Sequence, residues 1–176
     1  VSSTQISREL KVDASQIAKD LSFLDIRGKT RIGYEVALLE HKLEEFLGFR
    51  REHRAVIVGV GSLGGALMQD SGLGRYGLEI VAGFDVNPAV AGTLRHGLPV
   101  YNISELKERC QMLHAGIGIV TVPVEHAQAT ADRLIEAGVK AIWNFTPYRI
   151  CVPDGIVISN TSIYAHLAVM YNRMHS

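Results

Sequence analysis

The segment AVIVGVGSLGGAL, residues 55–67, constrains the chain more than any other stretch. Its first four residues are apolar and mostly β-branched, with no polar face, the pattern of a parallel strand buried on both sides. The run passes into Gly59-Val60-Gly61-Ser62-Leu63-Gly64 and then into a helix-forming stretch. Each glycine of that spacing has a physical task. Gly59 permits the tight turn, Gly61 leaves the backbone open to a pyrophosphate, and Gly64 lets the helix approach the strand. The first helical turn, carrying Ser62, Leu63, Gly65 and Ala66, then directs unpaired N–H groups at an anion. Loops match this spacing by chance, so the surrounding sequence has to decide.

A second β-rich run, Leu78 to Phe84, ends in Asp85 and Val86. That places a carboxylate about twenty residues beyond the glycines, where it can accept the adenosine ribose hydroxyls and repel a 2′-phosphate. The expected ligand is therefore NAD(H) rather than NADP(H). The competing reading is that Asp85 merely opens the turn Asp85-Val86-Asn87-Pro88. Farther on, Ser104–Cys110 reads as a helix, Ile117–Val122 as a strand, and Glu125–Ala137 as a helix closed by Gly138. Ala141–Phe145 and Ile156–Ile158 supply further strands. The alternation predicts an α/β fold, a doubly wound parallel sheet of Rossmann type over residues 51–160.

The first fifty residues read differently. Ser2-Ser3-Thr4-Gln5 and Asp13-Ala14-Ser15-Gln16 are capping boxes, with Ile6 and Leu10, then Ile17 and Leu21, on apolar faces. Two short capped helices joined by a tight turn fit a helix-turn-helix whose recognition helix spans Ala14 to Phe23. Its polar side presents Ser15, Gln16, Lys19 and Ser22, of which Gln can read base edges and Lys and Ser can hold phosphates. The following Ile26–Tyr34 segment reads as a basic hairpin, a wing able to set Lys29 or Arg31 against DNA; alternatively its charges are simply solvated. Val36, Leu39, Leu43, Phe46 and Leu47 form an amphipathic helix ending near Gly48, and Phe49–Arg54 suits a linker. A winged-helix domain over residues 1–50 is expected. The chain opens on Val1, almost directly in a helix cap, so this domain is expected to lack its first helix.

Residues 161–176 close the chain as a helix with Ile163, Leu167, Met170, Tyr171 and Met174 on one side. Such a helix needs a partner, either its own sheet or a second subunit. Eighteen basic and eighteen acidic residues cancel, so global charge does not advertise nucleic acid. Cys110 and Cys151 are too few for a disulfide framework, which favours a cytoplasmic protein with reduced thiols. No apolar run reaches the roughly 18 residues of a membrane span. The seven histidines are scattered without ligand spacing, and no metal is expected.

These motifs resemble the Rex family of redox-sensing transcriptional repressors. The resemblance rests on Gln16–Phe23 and Gly28–Tyr34, then Gly59–Gly64 and Phe84–Pro88, then Thr121-Val122-Pro123 and Asn144-Phe145-Thr146-Pro147, in order over nearly the whole chain. It implies a homodimer joined by a domain-swapped C-terminal helix, bound to double-stranded operator DNA and released by NADH. It also implies that the Thr121–Pro123 and Asn144–Pro147 segments line the nicotinamide side, with Ile163 and Tyr164 near the partner subunit's nicotinamide. Where the family often has Arg at Ala18, Arg or Asn at Ser62, and typically Asp at Ser162, this chain differs; Asp70 stands where some members have Tyr. Two other classes share the glycine turn. A dehydrogenase would need a proton donor and a substrate domain, for which one helix after the sheet and His126 are slender material. A CoA-binding domain, the second alternative, fits less well with Asp85 and the helix-turn-helix.

Overall fold

The computed structural model describes residues 1–24, 26, 28 and 32–175. They fall into two compact units, Val1–Arg51 and Glu52–Ser176.

The first unit contains α1 (Ser3–Leu10), α2 (Ala14–Ser22) and α3 (Val36–Phe46). The capping box at α1 forms in full: the Gln5 N–H donates to Ser2 Oγ at 3.1 Å and the Ser2 N–H to Gln5 Oε1 at 3.0 Å. At α2 the box is only half made. Asp13 caps the helix, and the Ser15 hydroxyl, with the Ser15 and Gln16 amides, holds its carboxyl below the ordinary range. The Gln16 side chain does not reach back; it donates to Asp20 Oδ1 at 2.6 Å, one helical turn on.

Ile17, Leu21, Leu24 and Leu39 form the core of this unit, with Ile6, Tyr34 and Leu43 partly buried around it. The expected apolar faces are broader than this core. Leu10, Val36, Phe46 and Leu47 stay exposed, because three short helices bury only a narrow stripe of each. Four of the nine residues of the expected wing, Lys29 and Arg31 among them, lie outside the described residues.

The second unit is a seven-stranded sheet among the described residues, ordered β3-β4-β2-β1-β5-β6-β7. The strands are β1 (His53–Val58), β2 (Leu78–Asp85), β3 (Leu94–Arg95), β4 (Leu98–Asn102), β5 (Ile117–Val120), β6 (Ala141–Asn144) and β7 (Val157–Asn160). Every neighbouring pair is parallel except β3–β4. That hairpin departs from the expected all-parallel sheet. Its two-residue loop, His96 and Gly97, takes φ of 52° and 82°, the left-handed pair that joins antiparallel strands. Two boundaries also differ. β1 starts at His53 inside the expected linker, and β5 stops at Val120, so Thr121 and Val122 leave the sheet.

The continuous apolar run of β1 is buried on both faces, as its lack of alternation requires. Val56 and Val58 pack with Phe84, Leu106, Leu134 and Ile142 on one side; Ala55 and Ile57 pack with Val60, Met68 and Ile119 on the other. The covering helices are α4 (Ser62–Gln69), α5 (Leu106–Met112) and α6 (Ala127–Glu136), the last preceded by a 3-10 turn at Val124–His126.

The final helix, α7 (Ile163–Met174), buries none of its residues. Its apolar face therefore does not fold back onto the sheet of its own chain, and Met170, Tyr171 and Met174 are exposed.

Cys110 lies in the core and Cys151 at the surface. Burial pushes the Cys110 thiol up to about 11, so the thiolate that reacts is nearly absent at pH 8. Titration of the native protein with a thiol reagent at that pH is expected to label Cys151 quickly and to reach Cys110 only after unfolding; two fast equivalents would contradict this packing.

Candidate functional site

Discounting the edge hairpin, the strand order reverses direction between β1 and β5, and it is outside the C-terminal ends of such strands that ligands bind. The glycine turn emerges at that point. Gly59 sits at φ 96°, where a side chain would be strained. A Cβ on Gly64 would lie 2.1 Å from the Gly59 carbonyl oxygen, so the third glycine is required by helix-to-turn contact. A Cβ on Gly61 would meet nothing within 4 Å, which leaves open space over the backbone.

Three neighbours hold the turn. The Gly59 N–H donates to the Phe84 carbonyl at 2.8 Å, and the Val60 N–H donates to Asp85 Oδ2 at 2.8 Å. Thr121 donates its hydroxyl to the Gly59 carbonyl at 2.7 Å, with the Val58 carbonyl at 3.1 Å. Asp85 also accepts the Asn87 N–H on Oδ1 at 2.8 Å, so it does open the turn as the simpler reading held. A carboxylate accepts about four hydrogen bonds, which leaves capacity for two ribose hydroxyls.

Two cavities flank the turn. One, of about 340 Å³, is walled by Val58, Gly59, Asp85 and Val86, and by the β4 end at Ile103. Its far side is α6, which supplies Ala129, Thr130 and Arg133, with His126 at the preceding turn. No motif in the sequence singles out these α6 residues. Their spacing of three to four puts them on one helical face, a signal that was present but indistinguishable from an ordinary amphipathic helix. The second cavity, of about 410 Å³, is walled by Leu63, Thr121 and Val124 on one side and by Phe145, Thr146 and Pro147 on another. Ile163 and Tyr164 complete it, so in this chain they wall the cavity of their own subunit. β7 runs beside β6, which brings the start of α7 next to the loop that β6 carries. Val122 and Pro123 wall both cavities.

Other expected residues lie near without lining either space. Gly61, Ser62, Gly65 and Ala66 form the cap and first turns of α4, and the Gly65 N–H donates to the Gly61 carbonyl at 2.8 Å. Asn144 is fully buried. Its Nδ2 donates to the Tyr148 carbonyl at 2.7 Å and to Asn160 Oδ1 at 2.9 Å, while its Oδ1 accepts the Thr146 N–H and hydroxyl. No donor or acceptor is left for a ligand, so Asn144 shapes the loop from beneath rather than touching anything in the cavity.

On α2, Gln16 is paired to Asp20, Ser15 donates to its cap Asp13, and Ser22 donates to the Lys19 carbonyl at 2.6 Å. The Lys19 side chain is exposed and makes no bond among the described residues. Together the four keep one polar, solvated helix side.

Comparison with known proteins follows this geometry. Residues 50–148 match the family described as CoA binding domain. Over 175 residues the chain is 57% identical to the redox-sensing transcriptional repressor Rex of Bacteroides fragilis, covering 99% of this chain and 80% of that one. The chain belongs to the Rex family. The Porphyromonas gingivalis Rex is 58% identical over 176 residues, 100% of this chain and 81% of that protein. Among solved structures, the Rex-family repressor RSP in complex with β-NAD+ and operator DNA aligns with a TM-score of 0.95 at 33% identity, over 99% of this chain and 80% of that one. RSP in complex with β-NADH aligns at 0.88 and 32%, covering 99% and 81%.

Ser162 caps α7, accepting the Ala165 N–H at 3.2 Å, and Asp70 ends α4, accepting the Gly72 N–H at 2.6 Å.

The two glycines separate in a stability measurement. Gly64→Ala is expected to cost about 1–3 kcal/mol through overpacking against the Gly59 carbonyl, whereas Gly61→Ala, at φ −80° with free space, is expected to stay within about 0.5 kcal/mol in urea unfolding. Equal costs would mean that the turn does not pack as described.

Proposed function

We propose that this chain is a transcriptional repressor that binds operator DNA through its helix-turn-helix and is released from it when NADH occupies the crevice around the glycine turn. The observation that carries the reading is the union in one chain of two short capped helices, α1 and α2, with two cavities that flank a glycine turn left open above Gly61. A dinucleotide has that shape: an adenosine for the cavity with Asp85 and Val86, phosphates over Gly61 and the α4 N-terminus, and a nicotinamide for the cavity of Phe145 and Pro147. The CoA-binding description of the domain family is met by the same glycine turn. Identity of 57–58% to Rex proteins over nearly the whole of this chain favours NAD(H).

Redox state can be read at the second cavity. None of its lining residues is charged, and Leu63, Val122, Pro123, Phe145, Pro147 and Ile163 are apolar. The nicotinamide of NAD+ is planar and cationic, and that of NADH is neutral. An apolar wall without a carboxylate penalises the cation through desolvation and so favours the reduced ring. For this preference to act on DNA, NADH must bind the DNA-incompetent arrangement more tightly than the competent one.

The chain acts as a homodimer, its uncovered α7 face meeting a second subunit by helix exchange, with two α2 helices set for a pseudo-palindromic site. No described helix is long and apolar enough to cross a membrane, and the reading places the protein in the cytoplasm. It is a regulator and not an enzyme; the chemistry of the nicotinamide serves as a signal.

The test uses a duplex selected by the protein from random-sequence DNA. Saturating NADH is expected to weaken its binding at least about tenfold, and NAD+ far less, consistent with coupling energies of 1–3 kcal/mol. DNA affinity unchanged by NADH would sink the sensor. In the same assay Asp85→Ala is expected to weaken NADH about tenfold and to narrow the gap to NADPH, the size of effect that follows loss of hydrogen bonds to a charged group. A variant that binds both dinucleotides as before would remove Asp85 from the ribose.

Lys19→Ala tests the other unit. It is expected to weaken DNA binding across sequences and to lower the salt slope by about one, as loss of a phosphate contact does. An unchanged slope would place Lys19 away from the DNA backbone.

A further inference from the structure

The buried Asn144 amide joins two segments that otherwise have separate tasks. Residues 145–147 wall the second cavity, and Asn160 ends β7, two residues before the α7 cap. One side of the amide holds the loop: Thr146 donates both its N–H, at 2.9 Å, and its hydroxyl, at 2.8 Å, to Asn144 Oδ1. The other side holds Asn160 Oδ1 at 2.9 Å as well as the Tyr148 carbonyl at 2.7 Å. The backbone adds a parallel tie, the Thr161 N–H donating to the Asn144 carbonyl at 2.8 Å, and Trp143 Nε1 donates to Thr161 Oγ1 at 2.8 Å. Phe145 in turn rests against the Trp143 ring, with centroids 4.7 Å apart.

We propose that Asn144 is a positioning residue that couples the loop wall of the cavity to the root of α7, so that a ring held against Phe145 and Thr146 is felt at residues 161–165. The inference rests on the NADH-sensing reading above. Its physical basis is that the amide is fully buried and completely bonded. A shift of Thr146 that left Asn144 in place would strand an acceptor, and a shift of Asn144 that left Asn160 in place would strand a donor; each is costly in a buried network. The low-cost movements are therefore concerted. Linkage makes the coupling reciprocal: whatever fixes the α7 root also tightens ligand binding.

Asn160 offers the means of testing this, because it is exposed, lines neither cavity and contributes only an acceptor to the amide. Hydrogen–deuterium exchange on the full chain, with and without NADH, reports the loop amides at 146 and 148 and the root amides at 161–165. In the wild type, NADH is expected to slow both sets about fivefold or more, as the loss of local opening does. In Asn160→Ala the loop is expected to stay protected while the root slows less than about twofold, and Asn160→Asp, which keeps the acceptor oxygen, is expected to restore the root.

The coupling role is overturned if the wild-type loop responds to NADH and the root does not, or if Asn160→Ala leaves the root response intact and only lowers the melting temperature, as a purely structural bond would. If the wild type shows no exchange change anywhere and no NADH binding, the sensor reading itself falls and this inference with it.

Discussion

The backbone of the Gly59–Gly64 turn depends on hydrogen bonds it cannot make for itself. A strand that ends abruptly in residues of left-handed or extended geometry leaves N–H and carbonyl groups without ladder partners, and buried groups of this kind have to be satisfied. Here β2 supplies two acceptors, the Phe84 carbonyl and the Asp85 carboxylate, and the segment after β5 supplies one donor, the Thr121 hydroxyl. The open gap above Gly61 is the consequence. Both cavities, the seat of the helix α4 and the division of the walls between the two follow from a turn pinned at its start and left free at its middle.

Asp85 is compatible with a structural and a recognition role at once. The carboxylate accepts from the glycine turn and from the turn that follows β2, and it still faces a cavity. The two readings of this residue, turn former and ribose acceptor, are compatible because a carboxylate has more acceptor sites than either role uses. Asn144 is the opposite case. Its four hydrogen-bonding groups are all taken, so a residue that sits within a loop motif contributes by holding the loop in shape.

Much of the second unit was legible from residues alone. β1 announced itself by a buried apolar run, Asp85 by its distance from the glycines, and α7 by an apolar stripe at helical spacing. The β3–β4 hairpin was not legible, because His96-Gly97 is a less familiar form of the left-handed pair than Asn-Gly. The cavity wall on α6 was missed for another reason. Ala129, Thr130 and Arg133 lie on a helix whose remaining face is core, and periodicity says which side is buried without saying that the other borders a cavity.

The sequence by itself determined the alternation of strands and helices, the glycine turn with its carboxylate and the two-part division of the chain, since each depends on local periodicity or on fixed short spacing. Tertiary structure alone decided which loops meet. Val122 and Pro123 stand between two cavities, and Ile163 and Tyr164 join Phe145 and Pro147, because parallel pairing of β5, β6 and β7 brings together residues about 40 positions apart. Pairing register is a property of the assembled sheet, and no stretch of chain carries it alone.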